Sequence, residues 1–250
     1  MPDRVAVLSD IHGVLPALDA VLAEPDVVSA DRIVLTGDLA AGPLPAQTLE
    51  RLVALGERAV WVRGNADREL VQLARGGETV IPDPIAPWAA KQLDDTRIVL
   101  LDSLPLTVTL EITGLGYVLF CHATPRDDEE IALVDSPLPR WSEVLEGVEA
   151  GTVVCGHTHM PFTRLVDRRL VVNPGSVGMP YGTNGAHWAL LGGATGPAVQ
   201  LRRTRYDTEA ACKSLVDTSA YPGISEWVQE FVRTNYSDTE ALAAFSPRAQ

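Results

Sequence analysis

The chain has 250 residues, with 33 acidic against 20 basic side chains and a formal net charge of −13. That charge argues against long nucleic acid or an anionic membrane as a partner, and no apolar run approaches the roughly 20 residues needed to span a bilayer. Cys121, Cys155 and Cys212 are too few and too widely spaced for a disulfide framework, so a reducing, cytoplasmic compartment is expected.

Met1-Pro2-Asp3-Arg4 leads straight into an apolar run, with no basic-then-apolar leader. Residues 5–8 read as a buried strand, followed by Asp10-Ile11-His12. In extended chain, residues two apart face the same way, so Asp10 and His12 would reach one cation. Residues 16–23 read as a helix with proline in its first turn. A second strand, 33–35, ends in Gly37-Asp38. One carboxylate has two oxygens and can bridge two cations about 3.5–4 Å apart. Residues 48–55 read as a helix stopped by Gly56. A third strand, 59–62, ends in Gly64-Asn65, which brings a neutral amide oxygen. Residues 66–74 form the next expected helix, ended by Gly76-Gly77. The proline-rich stretch 81–87 is stiff, and reads either as a wall over a site or as a surface connection. A short helix is expected over 88–93.

Strands then crowd together. Residues 106–112 and 117–121 are expected to pair across a turn at Gly114-Leu115-Gly116, and His122 follows the second of them. Residues 152–155 form a strand ending in Gly156-His157-Thr158-His159, whose two imidazoles the same alternation places on one face. Further strands are expected over 162–166, 170–172, 187–191 and 199–204. Parallel units come first and antiparallel strands later, so two apolar sheet faces should bury each other. From Asp207 the character changes. Residues 208–216, 225–233 and 238–245 read as three short helices without a ligand motif. Trp227 and Phe231 are four apart and share a face, which would pack on the body or form a dimer contact. The last five residues read as a frayed end. The division expected is a domain over 1–206 and a helical extension over 207–250.

Each polar piece alone has an ordinary reading as a turn. Together, each behind a strand, they gather oxygen and imidazole donors of the kind a two-metal hydrolytic site needs. The order Asp-x-His, Gly-Asp, Gly-Asn-x-Asp, His, Gly-His-x-His resembles the calcineurin-like metallophosphoesterases, above all their small bacterial and archaeal phosphodiesterase-type members. Val171-Val172-Asn173-Pro174-Gly175-Ser176 is similar to the strand and turn that follow in those proteins, and the resemblance runs from Val5 to about Leu191. It implies an α/β fold of two stacked mixed β-sheets flanked by helices. It also implies two metals. Asp10, His12, Asp38 and His159 would hold one; Asp38, Asn65, His122 and His157 would hold the other. Mn, Fe or Zn would suit these mixed donors. The reaction implied is attack on phosphorus by a hydroxide bridging the two metals beside Asp38.

The chain departs from the family at Gly64-Asn65-Ala66-Asp67. Many members carry a His where Ala66 stands, and that His is thought to protonate the leaving oxygen. Ala66 donates nothing. His187, the one histidine outside the metal set, reads as a half-exposed strand residue. Asp67 is expected to orient its loop by hydrogen bonds. Two divalent cations less two aspartates and a hydroxide leave about one positive charge, which suits a singly charged phosphodiester. Arg63 and Arg126 are close in sequence to ligands and are candidates for substrate binding, with surface ion pairs as the other reading. The expectation is a phosphodiesterase on small or nucleotide-type phosphoesters. A phosphomonoesterase or protein serine/threonine phosphatase, and a non-catalytic scaffold of the same fold, are the alternatives.

Overall fold

The computed structural model describes residues 1–79, 84–193 and 198–249, so the start of the proline-rich stretch, Ile81-Pro82-Asp83, lies outside the described residues. Among the described residues, ten strands form two five-stranded sheets. In chain order they are β1 (Arg4–Leu8), β2 (Arg32–Leu35), β3 (Ala59–Trp61), β4 (Thr107–Ile112), β5 (Gly116–Cys121), β6 (Thr152–Val154), β7 (Pro161–Val166), β8 (Arg169–Pro174), β9 (Ala186–Gly192) and β10 (Val199–Thr204). One sheet runs β10-β9-β1-β2-β3 and the other β4-β5-β6-β8-β7. β1 lies parallel to β2 and β2 to β3, while β9 returns antiparallel to β1. In the second sheet β5, β6 and β8 are parallel neighbours, and β4–β5 is the expected hairpin.

The two-residue period of a strand explains the layers. Val5 and Val7 point inward, against Phe120, Val154 and Val172 of the other sheet. Ala6 and Leu8 point outward, into a helical layer that includes Leu18, Leu49, Leu70 and Trp227. The outer face of the second sheet, Cys121, Val153 and Val171, is covered by Trp141 and Val144 of the helix Leu138–Val144, which the sequence did not announce. The parallel strands of both sheets end at the same edge. Ligand positions strung along the chain therefore arrive together, as is general for the carboxyl ends of parallel strands.

The expected helices are present with shifted ends, at Leu15–Leu22, Pro45–Val53, Asn65–Ala74 and Ile85–Ala90. A further helix, Asp95–Asp102, follows an Asp94 side chain that accepts from Arg97 N–H. In the last part of the chain, helices span Thr208–Thr218, Ile224–Val228 and Asp238–Phe245. Cys212, Leu215, Trp227 and Val228 join the main core, so these helices pack on the body. Of the five residues expected to fray, Ser246–Arg248 form a turn of 3-10 helix and Arg248 lies over Phe245.

Candidate metal centre

Asp10 and His12 follow β1, Asp38 follows β2, and Asn65 follows β3 as the first residue of its helix. His122 follows β5, and His157 and His159 follow β6. The two sheets thus bring these seven side chains into one cluster. Close approach of the loops depends on glycine. A Cβ on Gly64 would lie 2.2 Å from Asp38 Oδ1, and one on Gly156 would lie 2.0 Å from Ser9 Oγ.

Asp10, His12, Asp38, His157 and His159 all have φ between 47° and 64°. These are five of the seven non-glycine residues in the left-handed region among the described residues. L-residues enter that region at a cost, and such strain concentrates at functional sites. The extended-chain argument for Asp10 and His12 therefore has to be replaced: a turn brings the pair together. The same geometry separates His157 from His159. Asp10, His12 and His159 form one converging group, and Asp38, His122 and His157 form the other. The two imidazoles do not share a face.

Backbone carbonyls orient three of the rings. His122 Nδ1 lies 2.7 Å from Thr36 O, His159 Nδ1 2.8 Å from Met179 O, and His12 Nδ1 3.3 Å from Ala41 O. Donation from Nδ1 leaves each Nε2 lone pair facing the cluster, the arrangement that prepares an imidazole as a ligand. His122 Nε2 lies 3.1 Å from Asn65 Oδ1, and the Nε2 atoms of His12 and His159 are 3.2 Å apart. Asp38 Oδ1 accepts from Ala66 N–H at 2.8 Å. Its Oδ2 stands between the two groups, 3.4 Å from His122 Nε2 and 3.7 Å from His12 Nε2. Asp38 therefore faces both groups through Oδ2, the atom that would be available to cations held there.

Asp10 decides whether these residues fit a cation. It is fully buried, and its Oδ1 has no hydrogen-bond partner. That oxygen lies 3.2 Å from His159 Nε2. Two lone pairs at this separation, away from water, call for a positive centre between them. Without a cation, protonated imidazole supplies the positive charge. Burial opposes charge on Asp38, but His122, His12 and His157 outweigh it and hold the carboxyl well below the usual range. Burial likewise opposes charge on His122, yet Asp38 and Asp10 push it up to about 10. For His157, burial and then the charge of His122 push it down to about 4.

Other side chains brace the loops. Asp67 is fully buried and accepts from Asp38 N–H, Leu39 N–H and Gly64 N–H at 2.9, 2.9 and 3.0 Å, which is the orienting role expected of it. Asn173 donates to Gly156 O at 2.7 Å, and Ser176 Oγ donates to Asp10 O at 2.7 Å. The end of β8 and the turn that follows it therefore lock the loops that carry His157 and Asp10.

Residues 4–195 match the calcineurin-like phosphoesterase superfamily domain. The chain belongs to that superfamily. The phosphodiesterase YfcE of Escherichia coli K12 is 30% identical over 75% of this chain and 86% of its own. The uncharacterized protein MJ0912 of Methanocaldococcus jannaschii is 27% identical over 90% of this chain and 96% of its own. The crystal structure of the hypothetical protein PH1004 from Pyrococcus horikoshii OT3 superposes with a TM-score of 0.76 at 18% identity, over 93% of this chain and 99% of that one. At that identity the superposition speaks for the fold alone.

The region around the cluster departs from the superfamily pattern stated above at one position. Ala66 leaves the usual histidine position without a donor. His187 does not replace it: its Nε2 is engaged by Thr183, 3.1 Å from Oγ1 and 3.0 Å from O, and it does not line the cavity over the cluster. Arg63 and Arg126 do not line that cavity either. Arg63 Nε pairs with Asp128 at 3.0 Å, and Arg126 pairs with Glu130 and Glu143 at 2.6 and 2.7 Å. The cavity, 510 Å³ in volume, has His12, Asp38, Asn65, His157 and His159 on one side. Tyr181, Phe231, Tyr236, Phe245 and Arg248 line the rest, with Glu230 and Glu240. All of these except Tyr181 belong to the last 21 residues of the chain. Only the spacing of Trp227 and Phe231 had hinted at a packed face there, and nothing in that pattern pointed to the cluster.

Proposed function

We propose that this superfamily member is a dinuclear metal-dependent phosphoesterase, and specifically a phosphodiesterase acting on small or nucleotide-type phosphoesters. The observation that carries the reading is Asp38 Oδ2, which faces an imidazole of each group from within a buried cluster. In this reading Asp10, His12, Asp38 and His159 hold one cation, and Asp38, Asn65, His122 and His157 hold the second. Mn, Fe and Zn all suit the donors. Such cations, when bound, supply Lewis-acid polarisation of the phosphoryl oxygens and an acidified water as nucleophile.

The residues contribute orientation and charge balance. Thr36, Ala41 and Met179 carbonyls fix three imidazoles. Ala66 N–H fixes Asp38 with Oδ2 inward. Two aspartates against two divalent ions and a hydroxide leave about one positive charge, matched to a monoanionic diester. The name of the YfcE relative points the same way. The seven ligand positions keep their side chains, whereas a non-catalytic scaffold would tolerate their loss. We take residues 1–206 as the catalytic domain and 207–250 as an extension that covers its site. A cytoplasmic setting fits three free, buried cysteines.

The test is elemental analysis after reloading with Mn²⁺, then hydrolysis of bis-aryl phosphodiesters, aryl monoesters and nucleotides. Two metals per chain and preferred diester cleavage are expected. Asp38→Asn should abolish turnover while the chain stays folded by circular dichroism. Absence of bound metal, or full activity of Asp38→Asn at verified low metal occupancy, sinks the reading.

A further inference from the structure

The cavity wall opposite the metal ligands is aromatic. Phe245 packs against His157 with ring centroids 6.1 Å apart, and Tyr181 packs against His159 at 6.2 Å. Tyr181 in turn meets Phe245 at 6.2 Å and Tyr236 at 6.3 Å. These contacts anchor the wall to the ligand rings themselves. Gly182 N–H donates to Tyr236 O at 2.8 Å, which ties the loop carrying Tyr181 to the extension. The flat rings leave a slot of 510 Å³, a size that takes an organic group and not water alone.

One cation completes the wall. Arg248 Cζ lies 4.9 Å from the Phe245 ring centroid, stacked on its face. Among the described residues it is the one Arg or Lys that lines the cavity. Arg63, Arg68, Arg126 and Arg140 all have carboxylate partners. Arg248 has no hydrogen bond or ion pair among the described residues. Glu240, which also lines the cavity, is turned to Ser237, accepting from its N–H at 2.7 Å and its hydroxyl at 2.8 Å. Glu230 remains as a carboxylate at the rim. A guanidinium held flat on a ring keeps its N–H fork free for a planar or tetrahedral anion.

We propose that the C-terminal extension is the specificity element of this site. It selects phosphoesters whose organic group is a flat aromatic or heteroaromatic ring bearing a second anionic group, which Arg248 receives. This rests on the phosphoesterase reading. The cation cluster takes the reacting phosphoryl group, the rings take the flat group, and Arg248, one ring beyond His157, takes the second charge.

The probes are phenylphosphonate and 4-carboxyphenylphosphonate, titrated into Mn²⁺-loaded protein by calorimetry. Neither is hydrolysed, so binding is read apart from turnover. The wild type should bind the carboxylated ligand about tenfold more tightly, the scale of one charge-assisted hydrogen-bonded contact. Arg248→Ala should erase that ratio, and Arg248→Lys should restore part of it. Phe245→Leu should weaken both ligands by removing the ring that carries the guanidinium. A ratio near one in the wild type, or one that survives Arg248→Ala, overturns the assignment while leaving the phosphoesterase reading intact. If neither phosphonate binds the loaded protein, both readings fall.

Discussion

Asp67 offers the sharpest test of how the site is held together, because it does not line the cavity and yet fixes the loops of Asp38 and Gly64. Its carboxylate receives three buried N–H groups, from Asp38, Leu39 and Gly64. Burial, then the charge of Asp38, push its pKa up to about 7, while the Leu39 and Gly64 N–H groups pull it back. Asp67→Ala removes all three acceptors. An unsatisfied buried donor costs about 1–3 kcal/mol, so the full loss is several kcal/mol; water entering the space left offsets part of it, and about 4 kcal/mol is expected. Asp67→Asn keeps one oxygen. Placed where Oδ2 stands, it still serves Asp38 and Gly64 N–H, and only Leu39 N–H meets the amide NH₂. That substitution should cost about 2 kcal/mol. Urea denaturation of the metal-free protein reads both values, and Mn²⁺ titration should show affinity weakened by roughly 10–100-fold in Asp67→Ala, as for other side chains that support ligands. Two outcomes refute the reasoning: a loss below about 1 kcal/mol in Asp67→Ala, or equal losses in the two variants.

Leaving-group dependence should be steep in the wild type, with aryl diesters cleaved far faster than alkyl ones, because Ala66 supplies no proton. Ala66→His should flatten it, with a gain on alkyl esters of up to about 10²–10⁴-fold; a dependence that is already flat in the wild type, with chemistry rate-limiting, shows that another group donates, and Tyr181 is then the first to replace, since His187 is turned to Thr183. In the metal-free protein His122 is raised from 6.5 to about 10, so the folded chain holds a proton that the unfolded chain has lost. Its contribution to stability is complete below pH 6.5 and is lost as pH rises toward 10, by at most about 1.4 kcal/mol per pH unit. Urea midpoints in chelator should fall between pH 6.5 and 9 in the wild type, and this fall should shrink in His122→Asn; midpoints that rise instead contradict the sign.

Much of the fold was legible because strands announce themselves locally. Apolar runs such as 5–8 and 33–35 are buried on both faces and need no context to be seen. Gly114-Leu115-Gly116 carries its own turn geometry, with φ of 82° at Gly114 and 69° at Gly116. Helix ends moved by three residues at Pro45 and Ile85, and by five at Val228, where a π-helical stretch, Gln229–Arg233, takes over, because tertiary contact and not local pattern sets where a helix stops. The helix Leu138–Val144 was missed because Leu138-Pro139 reads as a break, although proline is well placed in a first turn.

The sequence by itself determined the donors. The ligand types, their order behind strands, the missing acid at Ala66 and the acidic net charge are all local or compositional facts, independent of how the chain closes. Tertiary structure alone decided which donors converge. His157 and His159 part company because left-handed backbone at both positions breaks the alternation that an extended chain would impose. Asp38 presents one oxygen because Ala66 N–H holds the other. Arg248 stands over the cavity, and Arg63 does not, because side-chain placement follows packing and charge pairing among segments distant in sequence. Sequence proximity put Arg63 one residue from Gly64; folding gave it to Asp128 and brought the end of the chain to the cluster instead.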